Sequence, residues 1–313
     1  MFFSKWWRLK KAGILGINAR NLEFVQRLNN RKYYPFVDDK VLTKSLAEGH
    51  KIKVPKLYAL VETEHDNRKL DKMLKGMSSF VIKPSQGAGG EGILVITHFI
   101  NERYRTSSGK LLTLNELKYH VSTALSGAYS LGGHPDKVMI EYLIQFDPIF
   151  EKVAYQGVPD IRIIVVKGFP VMAMVRLPTQ ESNGKANLHQ GAIGAGVNIQ
   201  TSITRHGVWH NEIVTHHPDT FNPVEGIEIP FWQECLEIAS GAYDMTSLGY
   251  LGVDIVLDKD HGPLLLELNA RPGLNIQIAN EEGLKDAYEK IHDKLDQNLS
   301  VNERVAFVLN RSK

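Results

Sequence analysis

Two apolar runs, Ile161–Val166 and Phe169–Val175, are separated only by Lys167-Gly168. So short a link has no room for a crossover helix, so the runs must return on each other as an antiparallel hairpin. The same pattern recurs. Strand-like runs read KVPKLYALV, SSFVIKP, GILVI, KVMIEYLI, DIRIIVV, PVMAMVRL, LGVDIVLD and PLLLELN. Helical spacing is confined to 113–126, 230–246, 281–297 and a short helix over Lys40–Gly49, with Asp38 or Asp39 as its cap and Val41, Leu42, Ser45 and Leu46 on one face. Strands outnumber helices and come in hairpins, which is α+β grammar and not βαβ alternation. No repeat of fixed period argues for a solenoid or a propeller.

Composition removes other classes. Cys235 is the single cysteine, so an internal disulfide, a zinc ribbon and a Cys-x-x-Cys pair are excluded. Lys plus Arg number 37 against 35 Asp plus Glu, a balance that argues against a nucleic-acid partner bound through bulk charge. No uncharged apolar run reaches the ~18 residues of a membrane span. The basic, aromatic N-terminus has its apolar run at Ala12–Ile17, too short for a secretory signal. The expectation is a soluble cytoplasmic protein.

Phe80–Pro84 reads as a strand that ends at its proline. Ser85-Gln86-Gly87-Ala88-Gly89-Gly90-Glu91-Gly92 follows, then a second strand from Ile93. The G-x-G-x-x-G spacing is by itself weak. A dinucleotide fold needs a helix after the loop, and a Walker A loop needs its Gly-Lys-Ser/Thr at the end, whereas Lys83 precedes the loop. No H-R-D or D-F-G is present for a protein kinase. There remain two readings: a hairpin whose N–H groups close over phosphates with a lysine at its base, or a plain glycine-rich surface turn.

In Gly249–Gly273, two strands flank the turn Asp258–Gly262. Because strand side chains alternate, pairing Leu257 with Leu264, Ile255 with Leu266 and Val253 with Leu268 sets Asp254 opposite Glu267. Asn269 falls one diagonal step away. Directly opposed residues have Cβ atoms ~5 Å apart, where like charges repel, so the pair needs a proton or a cation. Its all-oxygen donor set suits Mg²⁺ or Mn²⁺ bridging substrate phosphates. Removing either carboxylate is then expected to relieve repulsion and leave the metal-free protein no less stable. An outward, solvated acidic pair is the plainer alternative.

FVIKP with its glycine hairpin, then MIEYLI, DIR, NLHQG and GVD…ELNARPG, in that order, resemble the ATP-grasp superfamily, and within it the α-L-glutamate ligase-like proteins. The resemblance covers residues 38 to about 280. It implies an α+β ATP-grasp fold of two subdomains that clasp ATP. The implied divisions are a short basic segment over 1–39, a subdomain with the glycine hairpin over 40–144, a subdomain with the metal-binding hairpin over 145–280, and a C-terminal helix and tail over 281–313. The family's N-terminal domain of about a hundred residues is much shortened here.

The implied roles follow residue by residue. Lys40, with Lys44 in competition, and Lys83 match the nucleotide lysines. Gln86, Gly87, Gly89 and Gly90 belong to the phosphate loop. Glu141, Tyr142 and Leu143 match the adenine hinge, with a plain core strand as the alternative. Asp160 matches a nucleotide-contacting acid. Lys185 and Asn187 match an Arg-x-Asn pair, with lysine losing the bidentate geometry. Asp254, Glu267 and Asn269 match the metal triad, and Arg162 and Arg271 match basic positions around the transferred phosphate and the carboxylate. The implied activity is ATP- and Mg-dependent carboxylate–amine ligation through an acylphosphate, joining glutamate or a similar acid to an amine acceptor. A phosphotransferase on the same fold and a non-catalytic ATP-binding regulator are the rivals.

Elsewhere, His189 is read as an ordinary hydrogen-bonded histidine in preference to a ligand. His206, His210, His216 and His217 fit no strong zinc spacing and are expected to be solvated. Cys235 is expected to pack in a helix face. Lys5-Trp6-Trp7-Arg8 with Lys10-Lys11 offers docking on a partner or a membrane surface, or a packed arm.

Overall fold

The computed structural model describes residues 11–311 except 88, 131 and 296, and the Lys5–Arg8 segment lies outside the described residues. The chain divides into two compact units, one of residues 38–44 and 54–144, the other of residues 1–37, 45–53 and 145–313.

The smaller unit is built on a six-stranded antiparallel sheet. Its strands are β1 (Leu57–Val61), β2 (Phe80–Pro84), β3 (Leu94–Ile100), β4 (Arg103–Thr106), β5 (Leu111–Leu112) and β6 (Val138–Glu141), in the order β1-β6-β2-β3-β4-β5. The helix Leu114–Leu125 begins with a capping box between Thr113 and Glu116. Its Leu117, Val121 and Ala124 are fully buried and join Phe80, Ile82, Ile96 and Ile140 in one core.

The larger unit carries a seven-stranded antiparallel sheet. Its strands are β7 (Asp160–Val166), β8 (Phe169–Leu177), β9 (Ile193–Val197), β10 (Thr204–Trp209), β11 (Glu212–Val214), β12 (Tyr250–Asp258) and β13 (Gly262–Asn269), ordered β11-β10-β9-β8-β7-β12-β13. Every residue of β7 and β12 is buried. An amphipathic pattern would leave one face wet, and these near-continuous apolar runs do not. The helices Trp232–Thr246 and Ile276–Asn280 pack on the sheet, and Val301–Asn310 packs on the first of them and on β8. The β7–β8 hairpin turns at Lys167 and Gly168, both at positive φ (46° and 85°), the geometry of a two-residue turn.

Three expectations need correction. The stretch 281–297 is not one helix: Leu284–Glu289 is helical, and a separate 3-10 turn spans His292–Lys294. The N-cap of the helix Leu284–Glu289 is Gly283, which lies so close to the backbone of residues 12 and 13 that a Cβ would come within 2.0 Å of the Gly13 carbonyl carbon. The helix Val301–Asn310, opened by a Ser300/Glu303 capping box, was not anticipated. Nor were β4, β5, β9, β10 and β11, whose runs are short or interrupted by glycine and charge. Among the described residues, no helix is long and apolar enough to cross a membrane.

Candidate functional site

In the smaller unit, β2 delivers Lys83 to the foot of the glycine loop. The register places Glu141 beside Val81 and Met139 beside Lys83, so Lys83 and Glu141 project from the same face. Lys83 Nζ lies 2.6 Å from Glu141 Oε2, and Lys44 Nζ lies 2.8 Å from Oε1. All three residues are buried. Burial opposes ionisation of Glu141, but the two ammonium groups outweigh it and hold its carboxyl below the ordinary range. Lys44 also donates to the carbonyl of Pro55. Lys40 instead reaches the loop backbone, donating to the Gly87 carbonyl at 2.7 Å.

The helix Lys40–Gly49 is capped by Asp39, whose Oδ1 accepts from the amides of Val41 and Leu42 and from the Ser85 hydroxyl. Its most buried residues are Thr43, Lys44 and Ala47. Val41, Leu42 and Leu46 are half-buried and Ser45 is exposed, so the expected apolar face is rotated toward Lys44.

Asp136, which the sequence reading missed, fixes the near end of the loop. Its carboxylate accepts from the amides of Gln86 (2.9 Å) and Lys137 (2.7 Å) and from the Ser130 hydroxyl (2.7 Å). At the far end a His120 ring nitrogen bonds the Gly92 carbonyl at 2.9 Å. Gly89 and Gly90 between them have φ of 64° and 76°, where a side chain would be strained. Of the expected hinge, the Glu141 backbone is flanked by β1 and β2, and the Tyr142 amide donates to the Lys56 carbonyl. Tyr142 and Leu143 are half-buried.

In the larger unit, one face of four adjacent strands gathers charge. Cross-strand partners are Asp160 with Arg176, Arg162 with Asp254, and Asp254 with Glu267. Arg162 grips Asp254 through Nε and Nη2, the latter 2.6 Å from Oδ2. Arg176 donates from Nε to Asp160 at 2.5 Å and reaches across β7 to Asp254 Oδ2 at 2.7 Å. Two guanidiniums and two carboxylates thus form a tetrad of zero net charge, buried except for the half-buried Arg176. Burial pushes the Asp160 carboxyl up to about 6 against the pull of Arg176, and neighbouring Asp254 pushes the same way. Asp254 is equally desolvated, but two arginines hold its carboxyl low.

This corrects the expected source of the balancing cation. Asp254 does lie opposite Glu267, yet the cations on it are Arg162 and Arg176 of the chain itself. Arg176 was overlooked. The pairing also slips past that point: Ile255 faces Leu265, Val256 faces Leu264 and Leu257 faces Pro263, with Leu266 as the extra residue of a bulge.

Glu267 and Asn269 are half-buried. Asn269 Oδ1 accepts the Arg271 amide at 2.8 Å, and the exposed Arg271 guanidinium lies 5.3 Å from the Tyr34 ring centroid. Among the described residues, no group of three or more His, Cys, Asp or Glu side chains is gathered as a metal site. A divalent cation here would therefore draw on Glu267, Asp254 and Asn269 together with phosphate oxygens and water. The guanidiniums occupy both lone pairs of Asp254 Oδ2 but leave one on Oδ1, and Asn269 keeps one on its oxygen. Mg²⁺ asks for only one or two carboxylates when phosphate and water complete its shell.

Asn187 caps the 3-10 turn Leu188–Gln190, accepting the His189 amide at 3.0 Å, while the Lys185 amide closes a turn on Ser182. His189 is exposed. His210 and His216 are exposed as expected, but His217 is not solvated: its ring is fully buried, bonded to the Pro178 carbonyl and to the amides of Asp219 and Thr220. Burial lowers its pKa. Cys235 is buried in the helix Trp232–Thr246, and desolvation drives its thiol up, far from a reactive thiolate.

A family profile described as sugar-transfer associated ATP-grasp matches residues 19–293. No curated protein matches. Among solved structures, the chain is similar to the D-alanine–D-alanine ligase from Bacillus anthracis, at 15% identity and a TM-score of 0.46 over 90% of this chain and 70% of that one. It is similar to the D-cycloserine synthetase DcsG, at 15% identity and 0.47, covering 89% and 80%. It is also similar to the ATP-grasp ligase PsnB complexed with a minimal precursor, at 14% identity and 0.44. That match covers 86% of this chain, which spans only 62% of PsnB.

Proposed function

The chain belongs to the sugar-transfer associated ATP-grasp family, and from that premise we propose that it is an ATP- and Mg-dependent ligase joining a carboxylate to an amine. The observation that carries this reading is the buried convergence of two lysines on Glu141: at the foot of a glycine loop, such a pair suits a polyphosphate. Lys44 and Lys83 would receive phosphate oxygens, with Lys40 securing the loop through the Gly87 carbonyl. This favours Lys44 over Lys40 as the first nucleotide lysine.

Glu267, with the remaining lone pairs of Asp254 and Asn269, would hold Mg²⁺, which neutralises phosphate charge during transfer. Arg271 is exposed and can turn its guanidinium from Tyr34 toward a carboxylate or a phosphate. Arg162 is committed to Asp254 and acts by holding that carboxylate in place. A carboxylate resists an amine until one of its oxygens joins a leaving group. Transfer of the γ-phosphoryl group to that oxygen supplies one, and attack by the amine then expels phosphate carrying the oxygen.

The acid is glutamate or a close analogue. The family's association with sugar transfer makes amino sugars the first amine acceptors to try. With ¹⁸O-labelled acid and a competent amine, label is expected in the inorganic phosphate released. Phosphate without label, from acid shown to be consumed, rules out the acylphosphate route. Phosphate retained on the product would identify a phosphotransferase.

A further inference from the structure

We propose that Glu141 is an internal stand-in for the polyphosphate, a counter-ion that the ligand displaces from Lys44 and Lys83. The inference rests on the nucleotide reading above and adds a residue that sets affinity from within the binding set.

The geometry that carries it is the sharing of one carboxylate. Glu141 Oε2 is 2.6 Å from Lys83 and Oε1 is 2.8 Å from Lys44, with 2% of the residue exposed. Two buried ammonium groups without an anion would repel each other. Glu141 offsets that repulsion and directs the two lysines to one point. The same contact weakens their hold on any incoming anion, because the attraction of each ammonium is already partly spent on Oε1 or Oε2. Both ammonium groups lie on the one carboxylate they share, so an arriving phosphate meets the two lysines together. The anchors on either side do not depend on Glu141. Lys44 keeps its bond to the Pro55 carbonyl, and Lys83 is fixed by its place in β2.

A purely structural carboxylate and a displaced counter-ion predict opposite effects on affinity. Replacing Glu141 by Gln keeps the shape and removes the charge. Calorimetry with inorganic tripolyphosphate is expected to show tighter binding to Glu141→Gln than to wild type, by roughly tenfold, the worth of one charge-assisted hydrogen bond. The ligand-free variant should melt at a lower temperature than wild type. The loss of affinity on Lys83→Met should also be larger in the Glu141→Gln background than in wild type, since Lys83 is then no longer pre-neutralised. If Glu141→Gln does not fold, Glu141→Asp carries the test. It draws the charge back by one methylene, and a smaller gain in affinity is expected.

Equal or weaker tripolyphosphate binding by a folded Glu141 variant would overturn the inference. Wild type that binds ATP normally would then leave the nucleotide reading intact. Wild type that binds neither ATP nor tripolyphosphate would remove both.

Discussion

The two units each bury a cluster of opposite charges, and the clusters are balanced differently. In the smaller unit, two lysines share the single carboxylate of Glu141. In the larger, two arginines meet two carboxylates, Asp160 and Asp254, with both guanidiniums on Asp254. Lysine is a point charge on a flexible stem, whereas the guanidinium is a planar fork that locks onto a carboxylate. The first arrangement is left charged and adaptable, as suits a group that must accept a ligand. The second is neutral and closed, as suits a platform that fixes Asp254 beside Glu267. On the function proposed above, a cluster's composition, and not its burial, would separate binding from scaffolding.

The sharpest way to break this contrast is to remove one anion from the closed cluster. Asp254→Asn leaves Arg162 and Arg176 buried against Asp160 alone. Stripping one partner from a buried ion pair costs about 3–5 kcal/mol. Urea unfolding of the metal-free protein should show that loss, which reverses the expectation that removing this carboxylate relieves repulsion. Glu267→Gln is half-buried and outside the tetrad, so it should shift stability by only ~0.5 kcal/mol while raising the Mg²⁺ concentration needed for turnover. Equal stability of the two variants would show the tetrad to be no scaffold.

Removing a cation from the open cluster should do the opposite. Lys83→Met leaves Lys44 and Glu141 as a neutral pair, so the fold should persist. ATP affinity should fall roughly tenfold or more, since a charge-assisted contact contributes ~1.5–3 kcal/mol. Calorimetry with ATP and a melting curve of the free protein check both parts. Unchanged affinity would place Lys83 outside the binding set.

The smallest effect is on pH dependence, and the two clusters should slope in opposite directions. The folded-state pKa of Asp160 is raised from 3.8 to about 6. Its contribution is therefore fully present below pH 3.8 and is lost as pH rises through about 6. Glu141 is lowered from 4.5, so its contribution is present above that value and is lost as pH falls through the folded-state pKa. Melting temperatures between pH 6 and 3.8 should respond to Asp160→Asn, and those below pH 4.5 to Glu141→Gln. A slope that neither substitution changes would assign the pH dependence to other groups.

The parts of this design that follow from strict alternation could be read in the sequence. The β7–β8 hairpin and the opposition of Asp254 to Glu267 needed only the period of two. The family resemblance assigns roles to the lysines and carboxylates from their order along the chain. What escaped depends on contacts between distant residues. Arg176 stands near the end of an apolar run, and nothing local says that it spans β7 to reach Asp254. Glu141 was read for its backbone, while its side chain's partners lie on β2 and on the helix Lys40–Gly49. Lys44 looked like one of two interchangeable lysines until the helix face was known. The bulge at Leu266 was hidden because Leu264, Leu265 and Leu266 are chemically alike. The helix Val301–Asn310 had its signal in Ser300-x-x-Glu303, which went unread.

That bulge has a consequence for inheritance. Leu266 is supernumerary between the pair Asp254–Glu267 and the pair Ile255–Leu265. Loss of its codon would let the ladder close without moving any neighbour to the other face. Positions 264, 265 and 266 are all leucine, so loss of any one of these three codons yields the same shortened strand and the same closed ladder. The hairpin that bears the carboxylates therefore has a run of three leucine codons within which an in-frame deletion is forgiven, next to the residues whose spacing can least afford one.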